Sequence, residues 1–200
     1  MRRAVLASSN AGKLREMQAL LADTGYEVLP QSAFGIVPPA EDGRTFVENA
    51  LLKARHASRL SGLPAIADDS GLEVDALGGR PGLHSARFAG PGCSDRDNVE
   101  RLLGELADVP AGARGARFRC ACVFVCSAED PAPLVAEGCW EGAIGFERRG
   151  SGGFGYDPVF VVAGETRTAA EMPAAEKNRV SHRARALGAL LAALRFREGT

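Results

Sequence analysis

Arg3-Ala4-Val5-Leu6-Ala7-Ser8-Ser9-Asn10-Ala11-Gly12-Lys13 decides how the chain begins to fold. Residues 3–7 read as a short strand, and residues 11–22 carry Leu14, Met17 and Leu21 at helical spacing. Asn10 stands where an N-cap side chain belongs, so strand passes to helix within a few residues.

Working outward, Thr45-Phe46-Val47-Glu48 has the form of a capping box. The helix it opens turns Val47, Leu51, Ala54 and Ala57 inward and stops near Gly62. Residues 64–67 then read as a buried strand carrying Asp68-Asp69-Ser70-Gly71 at its carboxyl end. Residues 94–107 are a third helix. Strands follow over 117–127, 134–145 and 158–162, and a last helix runs over 181–196 with Ala184, Leu187, Leu191 and Leu194 as its stripe. Elements mix without strict β-α-β alternation. The expected fold is therefore α/β of mixed α+β character, a long central mixed sheet with flanking helices, in one domain over residues 1–200 without a separable linker.

Composition narrows the partners. Hydrophobic residues make up 46% and charged residues 24%, as in an ordinary globular chain. A net charge of −1 supplies no bulk field toward nucleic acid or an anionic membrane, so neither partner is expected. Four apolar residues between Arg3 and Ser8 are too few for a signal-peptide core, and no apolar run is long enough for a membrane span. Cys120, Cys122 and Cys126, evenly spaced, read as one face of a buried strand and not as a zinc site. The odd count of five cysteines fits a reducing, cytoplasmic setting. Only three of the 24 basic residues are lysines: Lys13, Lys53 and Lys177. A lysine kept in an arginine-rich chain can mark a need for a compact ammonium.

Four segments carry chemistry. Ser8-Ser9-Asn10-Ala11-Gly12-Lys13 offers a helix start, small side chains and one ammonium to phosphate oxygens, although it lacks Walker A spacing and also reads as a plain capped helix. Asp68-Asp69 offers hard oxygen ligands for Mg2+, or else a polar turn; on an extended strand only one of the two would face a metal. Glu41 and Asp42 could complete a carboxylate cluster, and Glu48 is better explained by capping. Gly152-Gly153-Phe154-Gly155-Tyr156-Asp157 can lay a ring against a flat base, or use Phe154 as a core plug. Residues 176–183 crowd cations ahead of the last helix, where they oppose its dipole. Together these describe a nucleotide site with a metal, without choosing the bond broken.

Several blocks add up to a resemblance: Ser8–Lys13, Phe46-Val47-Glu48-Asn49-Ala50, Ala67–Gly71, Gly78-Gly79-Arg80-Pro81-Gly82 with Ser85-Ala86-Arg87-Phe88, Gly153–Pro158, and Ala170-Glu171-Met172 through His182-Arg183. In this order, over nearly the whole chain, they resemble the inosine triphosphate pyrophosphatase family, which hydrolyses ITP, dITP and XTP to monophosphate and pyrophosphate. Ser8-Ser9 departs from the commoner Thr-Gly but keeps a hydroxyl. The resemblance implies two lobes around an active-site cleft, a homodimer, and Mg2+ held by Glu41 and Asp69, with Asp69 as general base. It further implies that Ser8, Ser9, Asn10, Ala11, Gly12, Lys13 and Lys177 hold the triphosphate. Ser70 would line the site beside Gly155 and Tyr156, Phe154 would stack on the purine, and Asp157, His182 and Arg183 would read the base edge. A binding protein without turnover, a nucleic-acid module and a pyrophosphatase for modified pyrimidines are the rival classes.

Overall fold

The computed structural model describes residues 2–22 and 24–199. Its six-stranded sheet has the order β2-β1-β3-β4-β5-β6, with β1 Arg2–Leu6, β2 Tyr26–Pro30, β3 Ala65–Val74, β4 Gly115–Val125, β5 Leu134–Ile144 and β6 Phe160–Val162. The helices are α1 Ala11–Leu21, α2 Phe46–Ser61, α3 Asp95–Glu105, α4 Ala174–Val180 and α5 His182–Gly199. β1 pairs in parallel with both β2 and β3, while β5 and β6 are antiparallel, so the sheet is mixed as expected.

The first three strands differ from the sequence reading in two features. β2 is absent from that reading, and with it the opening becomes a regular β1-α1-β2-α2-β3 alternation. Because β1 lies between β2 and β3, the chain leaves β1 in one direction and returns on its other side. The carboxyl end of such a strand is where α/β sheets place ligands. Asp68 and Asp69 also fall in the middle of β3, not at its end. The strand continues because each carboxylate meets cations on its own face of the sheet.

The chain divides into two compact units: residues 1–69, 120–138 and 182–200, and residues 70–119 and 139–181. In the first, alternate residues of β1 enter two cores. Ala4 and Leu6 pack with Met17 and Leu21 of α1 and with Ala186, Leu187, Leu190 and Leu194 of α5. Val5 and Ala7 pack with Ala50, Ala54 and Ala57 of α2. Cys120 and Cys122 lie buried on the α1/α5 face, but β4 ends at Val125 and leaves Cys126 exposed, contrary to the even-spacing reading. The second unit gathers Leu72, Val99, Leu102, Phe118, Trp140, Tyr156 and Phe160 into its own core.

Helix ends follow their local signals. The Asn10 side chain accepts the Lys13 N–H at 3.0 Å. The Thr45 hydroxyl accepts the Glu48 N–H at 3.1 Å, but Glu48 returns to the Arg44 N–H, one residue outside a standard capping box. Ser94 and Asp97 complete a full box on α3.

Candidate active site

β3 runs parallel to β1 with Leu6 opposite Ile66, so Asp68 and Asp69 lie level with the turn that leaves β1. Asp68 follows Ile66 onto the α1/α5 face, and Asp69 follows Ala67 onto the α2 face. Their partners are accordingly disjoint.

On the α2 face, Asp69 Oδ1 accepts from Lys53 Nζ at 2.9 Å and Oδ2 from Asn49 Nδ2 at 3.2 Å. Glu41 Oε1 accepts from the same ammonium at 2.9 Å. Both carboxylates expected at a metal therefore converge on one cationic point. Burial lowers the affinity of Lys53 for its proton, but Asp69, Asp68 and Glu41 outweigh it and raise the pKa above the ordinary lysine value. Sequence reasoning left Lys53 and Asn49 out of the site. The scarcity of lysine was the available signal, and all three lysines prove to be paired with carboxylates.

On the α1/α5 face, Asp68 is 1% exposed, and its Oδ2 receives Lys13 Nζ at 3.0 Å and Arg183 Nε and Nη2 at 3.3 Å each. Arg183 Nη1 also donates to Glu16. Burial alone would raise the Asp68 carboxyl; Lys13 and Arg183 overcome it and hold the group well below the usual carboxylate range. Asp68 Oδ1 is buried and accepts no hydrogen bond from the described residues. Arg183 was expected at a base edge, yet its guanidinium is sealed among carboxylates of its own unit. His182, the first residue of α5, is likewise buried. The turn itself brings Ser8, Ser9, Asn10, Ala11, Gly12 and Lys13 together, with the Ser8 hydroxyl accepting the Asn10 N–H.

The second unit, which begins at Ser70, holds the aromatic loop. Asp157 Oδ2 accepts the Phe154 N–H at 2.9 Å and pairs with Lys177 Nζ at 2.5 Å. Lys177 Nζ lies 5.1 Å from the Phe154 ring centroid. Gly153, at φ +72°, is required there, since a Cβ would fall 1.9 Å from Asp157 Oδ2. The Tyr156 hydroxyl donates to the Ser85 carbonyl at 2.8 Å, and its burial pushes its pKa upward. Lys177, expected on the triphosphate, is thus the ammonium of the aromatic loop.

Glu41 and Asp69 offer hard carboxylate oxygens, the donor type that a divalent ion such as Mg2+ takes, and both meet at the Lys53 ammonium. Among the described residues no group of three His, Cys, Asp or Glu side chains could hold a metal. An ion at Glu41 and Asp69 would complete its shell with water and phosphate oxygens, the usual habit of Mg2+.

Known proteins match this chain along nearly its whole length. The Ham1 family profile covers residues 4–193. A dITP/XTP pyrophosphatase of Methylococcus capsulatus is 64% identical over 99% of this chain and 98% of its own. Another, from Yersinia pseudotuberculosis, is 54% identical over 98% and 99%. The structure of a HAM1 protein from Coxiella burnetii matches at a TM-score of 0.89 and 47% identity, covering 97% of this chain and 98% of that one. With the family's profile, sequences and fold all matched over nearly the whole chain, the chain belongs to the Ham1 family.

Proposed function

We propose that this protein hydrolyses noncanonical purine nucleoside triphosphates of the dITP and XTP type to the monophosphate and pyrophosphate, with Mg2+ as its metal. The observation that carries the reading is the Asp69 carboxylate, buried and gripped by Lys53 and Asn49, with Glu41 on the same ammonium. Full-length relatives named dITP/XTP pyrophosphatase support the substrate class.

In this reading phosphate chemistry rests with the first unit. The turn from Ser8 to Lys13 offers N–H groups and an ammonium to the triphosphate oxygens. Glu41 and Asp69 would hold Mg2+, which when bound offsets charge on the phosphates and fixes their orientation. Asp69 takes a proton from the water that attacks the α-phosphorus. The bond from that phosphorus to the β-bridging oxygen breaks, and pyrophosphate leaves with the bonding electron pair. Lys53 stays protonated and holds the Asp69 and Glu41 oxygens in place. Ring recognition rests with the second unit, where Phe154 offers a face to the purine and Lys177 and Asp157 brace it.

Pyrophosphate release from ITP, XTP, GTP, ATP and UTP with Mg2+ tests the reading. ITP and XTP are expected to dominate, and release to stop in chelator and return with Mg2+. Asp69→Asn keeps the shape of the carboxylate and removes its basicity, so turnover should fall at least about a hundredfold, a typical general-base contribution. Tight binding of ITP without release would leave a regulator in place of an enzyme, and a preference for pyrimidines would refute the substrate class.

A further inference from the structure

Asp95 opens α3 but is not the residue that caps it. Ser94 and Asp97 form the capping box, which leaves the Asp95 carboxylate for another task. Its Oδ2 accepts the backbone N–H of Gly155 at 2.7 Å, across sixty residues of sequence. That is a short, charge-assisted bond. The adjacent N–H, that of Phe154, ends on Asp157. The two peptide N–H groups on either side of the Phe154 α-carbon are therefore held by two different carboxylates.

The loop needs such anchors. Gly150, Gly152, Gly153 and Gly155 stand within six residues, and Gly150, Gly153 and Gly155 have positive φ. A segment so rich in glycine has many unfolded conformations to give up, and without fixed partners it would not hold one ring in one place. Its anchors include Asp157 and Lys177, the Ala170 carbonyl that accepts the Gly152 N–H at 3.0 Å, the Ser85 carbonyl beneath Tyr156, and Asp95 at the start of α3.

We propose that Asp95 is a positioning residue that latches the Phe154 loop through the Gly155 N–H, so that the ring is set for a purine before the nucleotide arrives. The proposal rests on the reading above, in which Phe154 stacks on the base. A ring already in place lowers the ordering cost of binding and affects substrate and transition state alike, so its loss falls on KM and spares kcat.

The test compares Asp95→Ala, Asp95→Asn and Asp97→Ala in the full-length protein. Asp95→Ala is expected to raise KM for ITP about tenfold, the loss of one charge-assisted bond, with kcat within about twofold. Asp95→Asn keeps an acceptor oxygen and should recover most of the loss. Asp97→Ala frays α3 but leaves the Gly155 bond, so its KM should stay within about twofold of the parent. Amide exchange at Gly155, followed by NMR in the nucleotide-free protein, should accelerate at least about tenfold in Asp95→Ala and not in Asp97→Ala. Unchanged Gly155 exchange in Asp95→Ala, or an equal rise of KM in Asp97→Ala, would overturn the latch. A parent protein that released no pyrophosphate from ITP would refute the nucleotide reading instead, and Gly155 exchange would still decide the latch.

Discussion

Arg183 shows how a side chain expected at a ligand can find its charge partners inside the fold. A cation at a helix start opposes the dipole, and the sequence reading took that conflict as a sign of ligand contact. In the structure the conflict is resolved internally, because Asp68 and Glu16 supply the negative charge. The guanidinium is 1% exposed, and Asp68 depends on it and on Lys13 to remain ionised against burial. Removing Arg183 leaves a buried carboxylate half-compensated, which costs about 3–5 kcal/mol. Arg183→Ala should therefore lower Tm by roughly 6–20 °C in a chain of this size. Its kcat/KM should fall by the same factor for ITP and for ATP, since no donor at the base edge has been removed. A narrowed ratio between the two substrates would instead place this guanidinium against the base.

Elements were legible where period and cap agreed. The helix over 46–61 declared itself by Thr45 and that over 95–105 by the spacing of Val99, Leu102, Leu103 and Leu106, and both lie within two residues of the expected bounds. In α5 the expected stripe holds at Leu187 and Leu194, but Ala184 and Leu191 are only half-buried while Ala186, Leu190 and Arg183 are buried, because Arg183 turns inward to Asp68. β3 was cut short for a similar reason: charge reads as surface when its partners lie far away in sequence. β2 escaped notice because Tyr26–Pro30 is a five-residue strand that ends in proline. The connection from β4 to β5 was read only as a gap between strands, yet it contains a titratable brace. Asp130 accepts the N–H groups of Cys126 at 2.8 Å and Ala132 at 3.0 Å and lies 3.8 Å from Arg197. Burial raises its carboxyl, but these two N–H groups and Arg197 prevail, so the folded value lies below the ordinary one. The unfolded chain then binds this proton more readily than the folded chain. The stabilisation is complete above about pH 4–5 and fades as pH falls through the folded value. Urea midpoints of the parent and of Asp130→Asn should be well separated at pH 6.5 and draw together progressively as the pH falls below about 4. A separation that stays constant with pH would show that the carboxylate charge contributes nothing.

For the whole molecule, three strands decide whether the two units behave as one. β3 passes from the first unit to the second at Asp69-Ser70, β4 returns at Arg119-Cys120, and β5 crosses again at Gly138-Cys139. Neither unit is a continuous piece of chain, so neither can complete its strands while the other is unfolded. That arrangement could not be read from composition, because no linker, charge run or glycine cluster marks Asp69-Ser70 or Arg119-Cys120. Cooperative unfolding follows, and the protein carries its own reporter for it. Trp140 is the single tryptophan, 3% exposed in the second unit's core, with Phe160 at 5.3 Å and Phe118 at 6.4 Å between ring centroids. Leu187 is 1% exposed in the first unit's core, against α1 and the sheet. Truncating such a leucine costs about 2–5 kcal/mol in transfer and cavity terms. If the units unfold together, Leu187→Ala must shift the Trp140 fluorescence midpoint as far as it shifts the far-UV circular dichroism midpoint, by roughly 4–20 °C. A fluorescence midpoint that stays at the parent temperature while dichroism shows an earlier transition would mean that the second unit stands on its core alone.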